Sequence, residues 1–300
     1  MPTVNCLISL MDVIMPADTR LFSGRSPEDT HEKVRVAAVQ MASGPSVSAN
    51  LDEALRLIEE AASRGAKLVV LPEYFCIMGI NDTDKLTVQE HPGEGIIQQF
   101  LSDTAKRLNI WLVGGSVPLV SSIPDKVYNS CLVYDQEGTL AARYDKIHLF
   151  GLALGNENFA ENRTIEPGNQ VVVLDTPFGR MGLSICYDLR FPELYRMMGK
   201  VDIILAPSAF TAITGKAHWE TLIRARAIEN QAYLIASAQG GFHVNGRETN
   251  GDSMIVDPWG VILERLPRGA GVVVADIDHA YQTSVRTSLP ALEHRCLLPC

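Results

Sequence analysis

From Val34 onward the apolar and polar positions fall into blocks whose periods identify the elements. VRVAAVQM (residues 34–41) is a short, nearly unbroken apolar run, the pattern of a strand covered on both faces. NLDEALRLIEEAASRG follows with helical period, which places Leu51, Leu55, Ile58 and Ala62 on one face and Gly65 at the stop. AKLVVLPE reads as a second strand, residues 94–108 as a second amphipathic helix, and IWLVGGSVPL as one further strand. VYNSCLVYD and TLAARYDKIHLF flank QEG and predict a hairpin, as do VVVLDT and RMGLSIC around PFG. FPELYRMM predicts a helix, VDIILAP a strand and residues 216–231 a long helix. YLIASAQ, SMIVD, GVILERL and GVVVADID predict strands, with a turn at Pro258-Trp259-Gly260.

Strands alternate with helices, but hairpins interrupt the alternation, which excludes a plain parallel barrel and a plain doubly wound sheet. The order predicts one α/β domain in which two mixed sheets pack face to face with helices outside. No repeat of 20–50 residues and no strong linker follows residue 33. Before it the pattern fails. MPTVNCLISLMDVIMPADTR has an apolar stretch, but no positive residue precedes it and Asp12 interrupts it, so it does not read as a signal peptide. With SGRSPEDTHEK as polar linker, residues 1–33 are expected to form a poorly ordered extension.

Composition narrows the partners. Hydrophobic residues make up 46% of the 300 and charged residues 20%, enough apolar surface for an ordinary core. Lys plus Arg number 26 against 35 Asp plus Glu, a formal charge of -9. That balance argues against a nucleic-acid backbone or an anionic membrane surface as partner, and no apolar run is long enough to span a bilayer. The six cysteines, Cys6, Cys76, Cys131, Cys186, Cys296 and Cys300, lie too far apart for a disulfide scaffold and read as free thiols in a reducing cytosol. No zinc spacing, Walker loop, G-x-S-x-G or dinucleotide fingerprint occurs, so neither a metal nor a cofactor is expected.

Three residues at the ends of predicted strands carry candidate chemistry. Cys186 ends RMGLSIC and is followed at once by a helix start, where backbone N–H groups and the positive helix end are expected to lower a thiol's pKa and to receive an oxyanion. Glu73 ends KLVVLPEYF, at the mouth of a buried strand. Lys146, in ARYDKIHLF, has apolar neighbours and so requires an anionic partner. Singly, each also fits a structural role: a buried thiol, a loop acid, an internal ion pair.

Together, LPEYF, YDKIHLF and GLSICYDLRFPELYR, in this order and spacing, resemble the nitrilase, or carbon–nitrogen hydrolase, superfamily. PSAFTAITGKAHWETLIRARAIENQ and GDSMIVDPWG extend the likeness over residues 34–295, with residues 296–300 left as a tail. The resemblance implies a four-layer αββα sandwich, assembled as a homodimer or larger homo-oligomer. It also implies that Cys186 attacks an amide carbon, that Lys146 and the Tyr187 backbone N–H hold the oxyanion, and that Glu73 moves the proton. Glu161, in NENFAENRT, matches a second glutamate that orients the lysine and the substrate; a solvated loop acid is the competing reading.

CYDLRFPEL, AFTAITGKAHW and RARAIENQ are most similar to the Nit branch, the ω-amidases and deaminated-glutathione amidases. The likeness assigns Arg190, Phe210 and Thr214 to the substrate's carboxylate and 2-oxo end; an internal pair between Arg190 and Glu193 is the competing reading. The implied activity is a cofactor-free thiol amidohydrolase releasing ammonia from a small carboxylate-bearing amide. Deaminated glutathione is the first choice, and the ω-amides of 2-oxoglutarate and 2-oxosuccinate the second. A carbamoyl-amide hydrolase, a nitrilase or a scaffold retaining the fold are the alternatives. The chain departs from the branch in its first 33 residues, in its tail HRCLLPC, and in Asp252, where a histidine often precedes the serine.

Overall fold

The structure, a computed structural model, describes residues 33–297 apart from 155 and 156. The expected N-terminal extension, except Lys33, and residues 298–300 of the tail lie outside the described residues. The first half contains β1 (Val34–Gln40), α1 (Val47–Ser63), β2 (Leu68–Val70), α2 (Asp84–Thr87), α3 (Ile96–Leu108), β3 (Trp111–Val113), β4 (Val117–Val120), β5 (Val127–Tyr134) and β6 (Leu140–Asp145). A small hairpin, β7 (Gly151–Leu154) with β8 (Glu157–Ala160), leads into β9 (Val173–Thr176), β10 (Gly179–Leu183), α4 (Pro192–Met197), β11 (Ile203–Leu205), α5 (Ala212–Asn230) and β12 (Tyr233–Ala236). The chain continues through β13 (Gly240–Phe242), β14 (Glu248–Asn250), β15 (Ser253–Val256), β16 (Ile262–Leu266), β17 (Gly271–Ile277) and α6 (His279–Ser288).

Two mixed sheets result. One runs β17-β1-β2-β3-β5-β4, with β6 also on β5; the other runs β16-β15-β12-β11-β10-β9. β1, β2 and β3 are parallel, as are β10, β11 and β12, and antiparallel strands flank each trio. The pleat explains the unbroken apolar run of β1. Ala37 and Val39 pack under α1 and α3 with Leu57, Ile58, Leu101 and Ala105. Val36 and Ala38, on the other face, meet Met181, Leu183, Ile203 and Leu205 of the second sheet. Ile204 and Leu234 turn outward under α4 and α5, beside Tyr195, Trp219 and Ile223. The layers are therefore helix, sheet, sheet, helix, as expected. Among the described residues no helix is long and apolar enough to cross a membrane.

Several elements differ from expectation. The buried stripe of α1 is Asn50, Ala54, Leu57, Ile58 and Ala61, with Leu51 and Ala62 at its border and Leu55 off it. Asn50 causes the rotation: its side chain bonds both ways with Gly44 and donates to the Cys76 carbonyl, so a polar residue faces inward. The long helix starts at Ala212 rather than 216, because the Thr211 hydroxyl accepts from the Thr214 N–H and caps it. The expected strand 139–150 ends at Asp145, and α6 was not anticipated.

The expected single strand 110–119 is broken between β3 and β4, and the break serves the site. Gly115 sits at φ +48, and a Cβ there would lie 2.0 Å from the Pro72 carbonyl oxygen, immediately before Glu73. Only glycine fits so close an approach in that conformation. Gly115→Ala should therefore cost at least ~2 kcal/mol and displace the Glu73 turn. Thermal melting and turnover, measured together, should both fall; an unchanged melting temperature would show that the turn yields freely.

Candidate active site

Glu73, Lys146 and Cys186 come from three separate strand ends and converge at one edge of the sandwich. Glu73 follows β2 in a turn fixed on three sides. The Tyr74 N–H donates to the Ser116 hydroxyl, Gln239 donates to the Glu73 carbonyl, and Ser43 bonds Gln239 in turn. Lys146 follows β6 and keeps its backbone in the ladder through its N–H to Asn129 and its carbonyl to Gly168. Cys186 follows β10 at φ +50, a left-handed conformation that a side-chain-bearing residue adopts at an energetic cost. Its N–H bonds the Pro207 carbonyl, and the chain turns there into a short 3-10 segment, Cys186–Arg190, before α4.

One carboxylate holds the lysine and cysteine segments together. Asp188 is wholly buried. Its Oδ2 accepts from the Ile185 N–H (2.8 Å) and the Tyr144 hydroxyl (2.7 Å), and its Oδ1 contacts the His148 backbone N–H and Nδ1. Tyr144 and His148 flank Lys146, so the nucleophile turn and the lysine segment share one buried anchor. His148, stacked on Phe191, is thus structural.

Lys146 is 0% exposed, and its Nζ donates to Glu73 Oε1 (2.8 Å) and to Glu161 Oε2 (2.8 Å) and Oε1 (3.1 Å). The anionic partner demanded by its apolar surroundings is therefore a pair of carboxylates. Burial opposes the charge on Lys146, but Glu161 and Glu73 outweigh it and raise its pKa. Glu161 is no solvated loop acid. Tyr74 Oη donates to its Oε1 and the Phe150 N–H to its Oε2. Burial would raise its pKa, yet Lys146 and these donors hold it below the ordinary carboxylate value.

Both Glu73 contacts, from Lys146 and from Asn129 Nδ2 (3.0 Å), fall on Oε1. Among the described residues Oε2 has no hydrogen-bond partner, and Glu73 shares the wall of a narrow slot with Cys186. Cys186 itself departs from expectation. Burial, followed by the charge of Glu73, pushes its thiol well above the usual range, against the opposing pull of Lys146 and a backbone hydrogen bond at Ala209. A short 3-10 turn supplies little helix-end potential, and the site excludes the water that would solvate a thiolate. The resting thiol is neutral, with a base beside it.

Tyr187, Arg190, Phe210, Thr214 and Glu161 line the same slot; Lys146 lies behind its wall. Phe210 stacks edge-on to Trp219, and Arg190 lies over the Phe210 and Tyr187 rings at 5.3 and 5.7 Å. Arg190 bonds His218 at 3.2 Å and makes no ion pair among the described residues, with Glu193 or any other acid. The Thr214 hydroxyl is engaged with Thr211 in the helix cap. Asp252 is away from the slot and forks Arg265 at 2.9 and 2.6 Å, an ion pair in place of any substrate contact. His218 and Trp219 lie in the second turn of α5.

Arg247 and Lys85 went unnoticed in the sequence. Arg247 stands on the wall of the slot and of a neighbouring cavity of about 730 Å³, and Phe150 and Glu161 are likewise common to both. Its Nη2 donates to the Ala209 carbonyl and its Nε is buried without a partner among the described residues. Neither residue belongs to a periodic element or stands in a motif; Tyr74 and Asp188, by contrast, adjoin motif residues and were open to suspicion.

A carboxylate with one free oxygen beside a neutral thiol, backed by a buried ammonium, is equipped to take a proton as sulfur attacks a carbonyl carbon. The chain is 42% identical over 265 residues to the deaminated glutathione amidase of Synechocystis, covering 86% of this chain and 97% of the relative. It is 38% identical to omega-amidase NIT2 of Danio rerio, covering 88% and 95%. Saccharomyces cerevisiae Nit3, a member of branch 10 of the nitrilase superfamily, superposes with a TM-score of 0.79 at 33% identity, over 89% of this chain and 97% of Nit3. With the Carbon-nitrogen hydrolase profile matching residues 35–287, the chain belongs to the carbon–nitrogen hydrolase family.

Proposed function

We propose that this carbon–nitrogen hydrolase cleaves a small carboxylate-bearing amide through a thioester on Cys186. The free Glu73 Oε2 beside the neutral thiol carries the reading. Sγ attacks the amide carbon as Glu73 takes its proton. An ammonium has three N–H bonds; with the Glu161 oxygens sharing one and Glu73 taking another, the third Lys146 proton and the Tyr187 N–H receive the oxyanion. Glu73 then protonates the amine as the C–N bond breaks, and deprotonates the water that releases the acid from sulfur.

Deaminated glutathione is the substrate we favour, and an ω-amide of a 2-oxo dicarboxylic acid the second; the names of the relatives support both. The leaving groups differ: ammonia leaves an ω-amide, whereas deaminated glutathione releases a dipeptide amine. In either case Arg190, with Phe210 and Thr214 beside it, holds the carboxylate of the acyl half through its planar fork. Arg190→Ala should lower kcat/KM about 30-fold on such an amide and far less on a neutral amide of equal length. Equal losses on both, with a lower melting temperature, would make Arg190 structural.

Cys76, Cys131 and Cys186 are unpaired thiols, which supports a reducing, cytosolic setting. Exposed Met197 on α4 and Ile228 on α5, flanking the Arg196–Glu229 contact, support a homo-oligomer across the helical face, which light scattering on the purified protein checks.

A further inference from the structure

The cavity beside the slot is larger than an ammonia-releasing enzyme needs. Its wall includes Lys85, at the start of α2, together with Tyr74, Thr164, Asn245 and Arg247. Lys85 Nζ donates to the Thr164 hydroxyl (3.0 Å) and lies 6.0 Å from the centre of the Tyr74 ring, itself bonded to Glu161. Among the described residues Lys85 and Arg247 make no ion pair, although both are largely covered. A covered cation with only neutral contacts is costly unless an anion arrives.

The charges of the joined hollows point the same way. Lys85, Lys146, Arg190 and Arg247 face Glu73 and Glu161, an excess of two positive charges when the thiol is neutral. Of the other acids on the cavity wall, Glu248 is taken by Arg268 and Asp82 lies exposed at the rim. An ω-amide of a 2-oxo acid brings one carboxylate, and Arg190 can account for it. The remaining excess of positive charge suits a second carboxylate on the other side of the scissile bond.

We propose that the cavity is a leaving-group subsite in which Lys85, with Arg247 beside it, pairs the terminal carboxylate of the departing amine, so that the enzyme prefers amides with an anionic amine half to primary amides. The inference rests on the amidase reading above and adds to it the class of amine released. Reach is adequate: the two residues of a cysteinyl-glycine extend about 7 Å from the scissile nitrogen, past Glu161 and Arg247, which border both hollows. Burial depresses the Lys85 pKa, with Asp82 and Glu161 working against it, as befits a cation still wanting a close partner. No step changes in the chemistry: the C–N bond breaks, the nitrogen takes the proton held by Glu73, and the amine leaves through the cavity while water completes the acid.

The test uses three synthetic substrates: deaminated glutathione, the same compound with its glycine carboxylate capped as an amide, and the primary ω-amide of 2-oxoglutarate. Wild type should favour the first by kcat/KM. Lys85→Met should cost about 10- to 100-fold on the first, mainly in KM, and under about threefold on the other two. Lys85→Arg should restore most of the loss. Equal effects on all three substrates, or none on the first, would overturn the subsite alone. A wild type that turns over none of them would overturn the amidase reading and the subsite with it.

Discussion

Cys186→Ala should reduce turnover to below ~10⁻⁵ of wild type, because no other group at the site can form the acyl bond. The protein should still fold. Alanine keeps the Cβ, so the left-handed backbone at φ +50 is no worse than before, and Ile185, Asp188 and Pro207 retain their bonds to the turn. The melting temperature should move by only a few degrees. Cys186→Gly, which relieves the strain at that φ, should melt no lower than the alanine variant. Acid-quenched wild type, analysed by mass spectrometry during turnover, should carry the acyl group on Cys186. Cys76 and Cys131 are internal controls: burial drives the Cys76 thiol far up and the Cys131 thiol to about 12, and both should stay unmodified in the native protein. Because the Cys186 thiol is also raised, its alkylation should keep accelerating above pH 9 rather than level off near neutrality. A plateau near pH 7 would mean a resting thiolate and would remove Glu73 from the acylation step. An acyl group found on another cysteine would end the reading.

That pH behaviour is the point on which sequence and structure part most clearly. Cys186, Glu73 and Lys146 were legible through the order and spacing of LPEYF, YDKIHLF and GLSICYDLRFPELYR, whereas each residue read singly also fitted a structural role. The layers were legible too, since hairpins interrupting βα alternation leave few alternatives. The sign of the thiol's shift was not. It depends on how completely Leu189, Phe210 and their neighbours exclude water and on how close Glu73 lies, and neither follows from a strand-to-helix corner read locally. Arg247 and Lys85 were invisible for a related reason. A cation in a loop or on a one-turn helix is ordinarily solvated, and only the tertiary structure encloses these two beside the slot. The α1 stripe and the Gly114-Gly115 break show the same limit at smaller scale, because Asn50 and Gly115 serve partners remote in sequence.

Lys146→Met should separate the two roles that the buried ammonium combines. Loss of an oxyanion donor costs ~10²–10³ in kcat. Loss of the cation between two buried carboxylates costs ~3–5 kcal/mol of stability, and that second effect depends on pH. In wild type the Glu161 pKa is held below its unfolded value, so its contribution is present above the ordinary carboxylate pKa and fades as pH falls through the lowered one. Without Lys146 the largest lowering influence is gone, and burial acts on Glu161 against the Tyr74 and Phe150 hydrogen bonds alone, so its pKa rises from the wild-type position. The variant therefore forfeits the contribution that wild type gains above the ordinary carboxylate pKa. The melting gap between wild type and variant should therefore be wide at pH 7–8 and narrow toward pH 4. Adding Glu161→Gln to Lys146→Met removes one buried charge, while the amide oxygen can still accept from the Phe150 N–H and the amide nitrogen can donate to the Tyr74 hydroxyl oxygen. The double variant should regain much of the lost melting temperature at pH 7–8 and none of the lost kcat. If kcat returns along with stability, Lys146 acts only by holding the site together, and the oxyanion must be stabilised elsewhere.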